Sequence, residues 1–357
     1  MKKILILSPY PEGVAGGQRL KYEQYYDSWE KQGYSLTKSS FFDNKTWDIL
    51  WKKGFLLSKI HGTCMGYLRR IRDVARLRKY EIVYIFMWGT PLGLPFFEWI
   101  VSIMGKKIIY DLDDFVFNSS DYLPLLKGGY KCRFLIRHSH NVIVSSPFSI
   151  NYCEKNNKFS NVQYIPCSLD LERFRLKKRE WSQKIVLGWT GTFSSKPYLD
   201  SIKDVFYEVA KNMDIKIILI TNFDYSLEGL DYENVTWKES SEIEDLHRID
   251  IGLYPLINSE WALGKGGLKA LQYMATGIPA IATNFGTVKD FITHKENGFL
   301  VDTTKQWVDA IITVAENAEL RKKIIMNARN TVEKSYSVSS NKKKYLNIFE
   351  EISKELD

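Results

Sequence analysis

Short runs of consecutive apolar residues alternate along this chain with longer segments of helical period. Ile4–Ser8 is the first run. Gly16 and Gly17 follow it, then a helical pattern to about Lys31, closed by Gly33. Further runs at Glu81–Met87, Lys107–Tyr110, Asn141–Val144 and Val162–Ile165 are rich in Val and Ile and do not alternate with polar residues. That is the pattern of parallel strands covered on both faces. The segments between them are long enough for the crossover helices that parallel pairing needs. The series then restarts with Ile185–Gly188, Ile215–Thr221, Val235–Trp237, Ile251–Tyr254, Ile278–Ala282 and Gly298–Val301. Pro197 is placed to open a helix there, where its missing N–H costs little. The two series meet at a polar connector, Asp170-Leu171-Glu172-Arg173 and Lys177-Lys178-Arg179. The reading is an α/β chain of two Rossmann-like domains, residues 1–170 and 171–337, facing a central cleft. In open α/β sheets ligands bind beyond the carboxyl ends of the strands, so the loops that follow strands are where chemistry is sought.

Length and composition fit this reading. The 357 residues exceed one ordinary core and suit two domains. Apolar residues make up 45% and charged residues 26%, the balance of a folded protein. The formal charge of +8 suits a negative partner: nucleotide phosphates, an anionic membrane surface or nucleic acid. Cys64, Cys132, Cys153 and Cys167 form no C-x-x-C pair and lie at no zinc-ligand spacing from a histidine, so reduced thiols are expected. Met1-Lys2-Lys3 precedes an apolar run that stops at Ser8-Pro9, short of the roughly seven residues a signal-peptide core needs. The longest greasy stretch, Phe86–Gly105, contains Pro91, Pro95 and Glu98 and makes a poor membrane span. The expectation is a cytoplasmic protein, with peripheral contact on the inner face of the membrane left open.

Four segments after strands carry candidate chemistry. In Pro9–Arg19 (PYPEGVAGGQR), Gly16 and Gly17 admit close approach of a ligand, and Arg19 stands in the helix that follows. The alternative is a pair of turn glycines, and the full G-x-G-x-x-G dinucleotide fingerprint is missing. In Tyr110–Phe115 (YDLDDF), strand geometry places Asp111 and Asp113 on one face. Such carboxylates could hold a divalent metal, act as a base or orient an acceptor hydroxyl; they could equally cap a helix or sit in salt bridges. In Asn258–Pro279 (NSEWALGKGGLKALQYMATGIP), Lys265, Gly266 and Gly267 open a helix that Gly277 stops. Spacing puts Lys265, Lys269 and Gln272 on one helical face. Glycines and lysines at a helix N-terminus suit a diphosphate; the plain alternative is a solvated basic face. In Gly188–Lys196 (GWTGTFSSK), Gly191 and Thr192 could line a ligand, and Ser194, Ser195 or Lys196 could reach phosphate, or the segment is a turn with its cap.

A fifth stretch, Lys52–Lys79, interleaves Lys and Arg with Phe55, Leu56, Leu57, Ile60, Met65, Tyr67 and Leu68. That is the composition of a helix lying on an anionic membrane. An ordinary amphipathic helix with its apolar side on the core has the same composition. No nucleic-acid recognition motif accompanies the charge, so nucleic acid is not expected as a partner.

These residues resemble the family-4 glycosyltransferases of the GT-B fold. The signature E-G-F-G-L-P-x-x-E-A-M-A-x-G-x-P is similar to GKGGLKALQYMATGIP at Gly264–Pro279. SSPFSINYCEK, YIPCSLDLERF, GWTGTFSS, DIGLYPL and ENGFLVD extend the resemblance over nearly the whole chain. The two motif glutamates fall on Gly264 and Gln272. In the family the first contacts the donor sugar and the second holds the ribose; Gln272 can still hydrogen-bond a hydroxyl, and Gly264 cannot replace a carboxylate. The resemblance implies a GT-B architecture in which the first domain binds the acceptor and the second the nucleotide-sugar. It implies a last helix, within 338–357, packing back on the first domain. Lys265 and Lys269 would meet the diphosphate, Gly266, Gly267, Leu268 and Gln272 would line the donor, and Asp111 would take an acceptor-side role. The implied reaction moves a sugar, with retention, from a nucleotide-sugar onto a glycan or polyprenyl-lipid-linked acceptor in surface polysaccharide synthesis. No tightly bound cofactor and no metal requirement are expected. The rival readings are a metal-dependent transferase built on Asp111 and Asp113, and a non-catalytic partner that binds nucleotide or glycan.

Overall fold

The structure is a computed structural model that describes residues 2–91, 94–104, 106–113, 129–176, 181 and 184–354. Expectations that fall on Asp114, Phe115 and 177–179 lie outside the described residues. The chain divides into two compact units, Met1–Cys167 with Asn341–Asp357, and Ser168–Ser340.

The first unit is built on six parallel strands: β1 (Lys2–Ser8), β2 (Tyr34–Ser40), β3 (Ile82–Phe86), β4 (Lys107–Leu112), β5 (Asn141–Val144) and β6 (Val162–Tyr164). Their order is β2-β1-β3-β4-β5-β6. Every residue of β3 is buried, as two-sided cover of a central parallel strand requires. Strand β2 was not among the elements the apolar pattern predicts. It is an edge strand, Tyr-Ser-Leu-Thr-Lys-Ser-Ser, whose middle is exposed and needs no apolar run. The helical run expected to Lys31 is broken into Gly16–Arg19, a 3-10 turn at Glu23–Tyr25, and Tyr26–Lys31. The first break lies where Lys21 turns into the core. The last helix, Val338–Lys354, packs aromatic side chains on this unit: Tyr345 lies 4.9 Å from Tyr25, and Phe349 lies 4.8 Å from Trp29 and 5.2 Å from Tyr34, centroid to centroid. None of the four cysteines is in a disulfide, and burial pushes the Cys132 thiol up to about 12. No described helix is long and apolar enough to cross a membrane.

The second unit repeats the plan with β7 (Ile185–Gly191), β8 (Ile215–Thr221), β9 (Tyr232–Thr236), β10 (Ile251–Tyr254), β11 (Ala280–Thr283) and β12 (Phe299–Val301). The order is β12-β11-β10-β7-β8-β9, again all parallel. Its core is lined by Leu187, Trp189, Phe206, Ile217, Leu219, Leu253 and Ile311. The predicted helix with Pro197 in its first turn is Lys196–Asp200.

One buried ion pair ties the broken first helix to the first sheet. Lys21 Nζ lies 2.7 Å from Asp111 Oδ1, and neither side chain is exposed to solvent. Tyr84 donates its hydroxyl to Asp111 Oδ2, and Lys21 also donates to Ser145 Oγ. Burial pushes the Asp111 carboxyl above the usual range, and the Lys21 ammonium opposes the shift. Removing one partner leaves the other charge buried and uncompensated. Lys21→Ala is therefore expected to destabilise the chain by about 3–5 kcal/mol. Urea denaturation checks this; a loss below about 1 kcal/mol would show that the pair is not the tie described.

Candidate functional site

Two neighbouring strands of a parallel sheet whose crossovers leave in opposite directions open a crevice at their carboxyl ends. In the second sheet those strands are β7 and β10, since the chain goes from β7 to β8 on one side and from β10 to β11 on the other. The loops that leave these two strands hold the third and fourth candidate segments of the sequence.

Strand β7 ends at Gly191. The Trp189 ring occupies the space a Cβ at 191 would need, so only glycine fits there. The chain then turns through Thr192, whose Oγ1 lies 2.9 Å from Ser194 Oγ, into the 3-10 turn Phe193–Ser195. The Thr190 amide donates to the Tyr273 hydroxyl at 3.0 Å and so fixes the end of β7 to the helix Leu268–Thr276. Beyond β10 the short helix Glu260–Leu263 is capped by Ser259, whose Oγ accepts from the Ala262 amide. The chain then passes Gly264, Lys265 and Gly266 to Gly267.

Gly267 sets the geometry of the lysines. Its φ of 71° is left-handed, and a Cβ there would meet Phe291 at 2.7 Å. It is the N-cap of the helix Leu268–Thr276, so Leu268 is the first helical residue and Lys265 lies outside the helix. The expectation that Lys265, Lys269 and Gln272 share one helical face is thereby corrected. Lys269 Nζ reaches Ser195 Oγ at 3.5 Å and lies 5.2 Å from the Trp189 ring centroid. Lys265 Nζ lies 5.6 Å from the Trp261 ring and 5.8 Å from that of Tyr198. Both ammonium groups stand over aromatic faces, which attract cations without consuming their charge. Gln272 is buried, and its Nε2 donates to Glu242 Oε1 at 3.1 Å. Glu242 Oε2 in turn accepts from Arg173 at 3.1 Å. The structure thus gathers Gly191, Thr192, Ser195, Lys265, Gly266, Gly267, Leu268 and Lys269 along two adjacent loops, and sets Gln272 one turn deeper with Glu242. Sequence reasoning missed Glu242, because an acidic run such as Glu242-Ile-Glu-Asp reads as a solvated face.

In the first unit the glycine segment is organised by Gln18. Its amide accepts from the Tyr10 amide at 3.1 Å and donates to the Tyr10 carbonyl at 3.1 Å and to Glu23 Oε1 at 2.9 Å. Glu23 Oε2 accepts from the Gly13 amide at 2.9 Å, which closes the loop on itself. A Cβ on Gly17 would lie 2.5 Å from Asp113 Oδ2, whereas Gly16 has open space beside it. Arg19 is mostly buried. Gly17 and Asp113 are therefore brought together. Asp111 points into the core toward Lys21 and Tyr84, and no chain signal at Lys21 announced that partner. Among the described residues no cluster of three His, Cys, Asp or Glu is arranged to hold a metal ion.

The profile of the family described as "Glycosyl transferases group 1" matches residues 222–331. No protein of curated function matches the chain in sequence. Solved structures match it in fold along its length. HepE from Anabaena, in complex with UDP, is 15% identical, with a TM-score of 0.70 over 98% of this chain and 100% of that one. Sucrose-phosphate synthase from Thermosynechococcus elongatus is 14% identical, with a TM-score of 0.69 over 99% of each chain. A glycosyltransferase from Rickettsia africae is 14% identical, with a TM-score of 0.71 over 99% of each. Residues 222–331 of the second unit therefore match the group 1 glycosyltransferase family, and the whole chain shares the two-sheet α/β fold of these solved structures.

Proposed function

We propose that the chain transfers a sugar, with retention, from a uridine-diphosphate sugar onto a glycan or polyprenyl-lipid-linked acceptor at the inner face of a membrane, in the synthesis of a surface polysaccharide. The observation that carries the donor assignment is the meeting of Lys269, Ser195 and Gly191 at the carboxyl ends of β7 and β10, beside the N-terminus of the helix Leu268–Thr276. Breaking the bond between sugar and diphosphate develops negative charge on the leaving group. Cations and helix N–H groups already aimed at that charge lower the barrier without reorganising. Lys265 and Lys269 fill the first role, and the amides of Gly266, Gly267 and Leu268 the second. UDP in HepE supports the choice of nucleotide. Gln272, held by Glu242, is assigned to the ribose.

The first unit is assigned to the acceptor, with Gly16, Gly17 and Arg19 lining it. The carboxylate we place against an acceptor hydroxyl is that of Asp113, beside Gly17. Asp111 acts on the acceptor only through Lys21, as a positioning residue. Retention then needs no protein base: a donor phosphate oxygen takes the acceptor proton as the new bond forms on the face the diphosphate leaves.

Two measurements test this reading. UDP at a hundred times its dissociation constant should stabilise the chain by roughly 2.7 kcal/mol and raise the melting point by several degrees. GDP, ADP, CMP and dTDP should give smaller shifts, and a chelator should not remove the UDP shift. No shift with any nucleotide would favour a fold that has lost its donor. Lys265→Ala and Lys269→Ala should each lower transfer by about 100-fold or more, with the melting point unchanged. Wild-type turnover in both would overturn the diphosphate assignment.

A further inference from the structure

The helix Leu56–Ala75 is built the wrong way round for a core element. Its buried residues are Gly62, Gly66, Arg70 and Asp73, one line along the helix at spacings of four, four and three. Its apolar residues lie opposite. Leu57, Ile60, Cys64, Leu68, Ile71 and Ala75 recur at intervals of three or four, and all are exposed to solvent. Leu57 is 82% exposed and Ile71 64% exposed; Trp51, just before the helix, is 76% exposed. The two glycines explain how the helix lies so close with so little apolar surface. A Cβ on Gly66 would meet the Phe41 ring at 2.6 Å, and one on Gly62 would collide with Thr46. Arg70 supplies the remaining hold. Its guanidinium donates to the carbonyls of Ser8 at 2.9 Å and Gly89 at 2.6 Å, to Ser39 Oγ at 2.9 Å and to Asp73 Oδ2 at 3.0 Å. The neighbouring helix Phe96–Ile103 also leaves Phe96, Trp99 and Ile103 exposed, again on one face.

The charge is arranged to match. Between Trp51 and Lys79 stand Lys52, Lys53, Lys59, Arg69, Arg70, Arg72, Arg76, Arg78 and Lys79, against the single acid Asp73. This stretch alone has a formal charge of +8, the formal charge of the whole chain, so the rest of the protein is balanced. Asp73 is spent on Arg70 inside the unit. An exposed apolar stripe about 30 Å long with cations along its edges is the surface an anionic bilayer takes up, with apolar side chains entering the acyl boundary and Lys and Arg remaining among the headgroups. A protein partner of ordinary composition would leave most of these cations unpaired.

We propose that the helix Leu56–Ala75, with the exposed face of Phe96–Ile103, seats the first unit on an anionic lipid bilayer without crossing it. The proposal deepens the membrane-side reading above and rests on it only for the location. It also gives Arg70 a purpose. Through Arg70 the docking helix is tied directly to Ser8 and Gly89, at the carboxyl ends of β1 and β3, so a seated helix holds the acceptor-side loops at a fixed height above the lipid.

Flotation of the full chain with vesicles tests the proposal. Vesicles of equimolar phosphatidylcholine and phosphatidylglycerol should bind it at least about tenfold more tightly than phosphatidylcholine alone, and added salt should weaken that preference. The variant Leu57→Ser/Leu68→Ser/Ile71→Ser should lose more than about tenfold in partitioning, with an unchanged melting point because the altered side chains are exposed. Arg72→Glu/Arg76→Glu should abolish the preference for anionic lipid. No binding to anionic vesicles, or unchanged binding in both variants, overturns the proposal. So does a dimer in solution that the triple serine variant converts to monomer, since the stripe would then belong to a second copy. The assay contains neither donor nor acceptor. A chain that fails it yet is stabilised by UDP loses the membrane proposal alone, and one that floats but transfers nothing loses the transferase reading alone.

Discussion

In a sheet whose strands all run one way, every strand delivers the chain to the same edge, and everything else in this protein is arranged around that constraint. Both sheets are wholly parallel, so each unit must bury both sheet faces under helices and has one edge of loops free for chemistry. Within each edge, the place where successive crossovers diverge is the natural opening. In the second unit it lies between β7 and β10 and receives the glycines and lysines. In the first it lies between β1 and β3 and receives the Gly16-Gly17 segment. Function then follows from which residues the loops carry rather than from anything special in the strands.

The same constraint explains why the buried charges are where they are. Lys21 and Asp111 pair at the loop edge of the first sheet, and Arg70 bridges the carbonyls that leave β1 and β3. A carbonyl oxygen has two lone pairs, and that of Ser8 accepts both the Phe41 amide at 2.8 Å and the Arg70 guanidinium at 2.9 Å. A guanidinium fixes several such acceptors at once, because its N–H groups form a rigid fork. Burial lowers the Arg70 guanidinium to about 10, which still leaves it charged at neutral pH. The loops of the first unit are thus held by ionic groups rooted beneath them, and their outer faces stay open for a ligand.

Much of this was legible in the sequence because buried parallel strands announce themselves as unbroken apolar runs. Strands β5, β8 and β10 fall where the runs predict them, and Gly277 stops its helix in the left-handed conformation expected of it. What was not legible depends on contacts made across the fold. Strand β2 lies at an edge and carries no apolar run. The helical face proposed for Lys265, Lys269 and Gln272 assumed that periodicity began at 265, whereas the Phe291 ring and the backbone of Gly267 start the helix at Leu268. Nothing local distinguishes Lys21 from the surface lysines around it; only the position of Asp111 on β4 makes it a core residue. The stretch Lys52–Lys79 was open to two readings because composition does not say which face of a helix meets the core, and Gly62 and Gly66 decide that by close approach.

The amide at position 272 follows from the same kind of distant contact. The resemblance drawn from the sequence would put a glutamate there. In the structure, however, Glu242 already brings a carboxylate to within 3.1 Å of the 272 side chain, itself held by Arg173. Two carboxylates at that distance in a buried setting could not both stay ionised, and one would take up a proton. An amide avoids the conflict, because its N–H group donates to Glu242 and its carbonyl keeps an acceptor. A single carboxylate therefore stands at this place, contributed from the start of the helix Glu242–Leu246 instead of from the helix that carries Lys269. Beside the carboxylate of Glu242, glutamine at 272 supplies a donor that an ionised carboxylate could not.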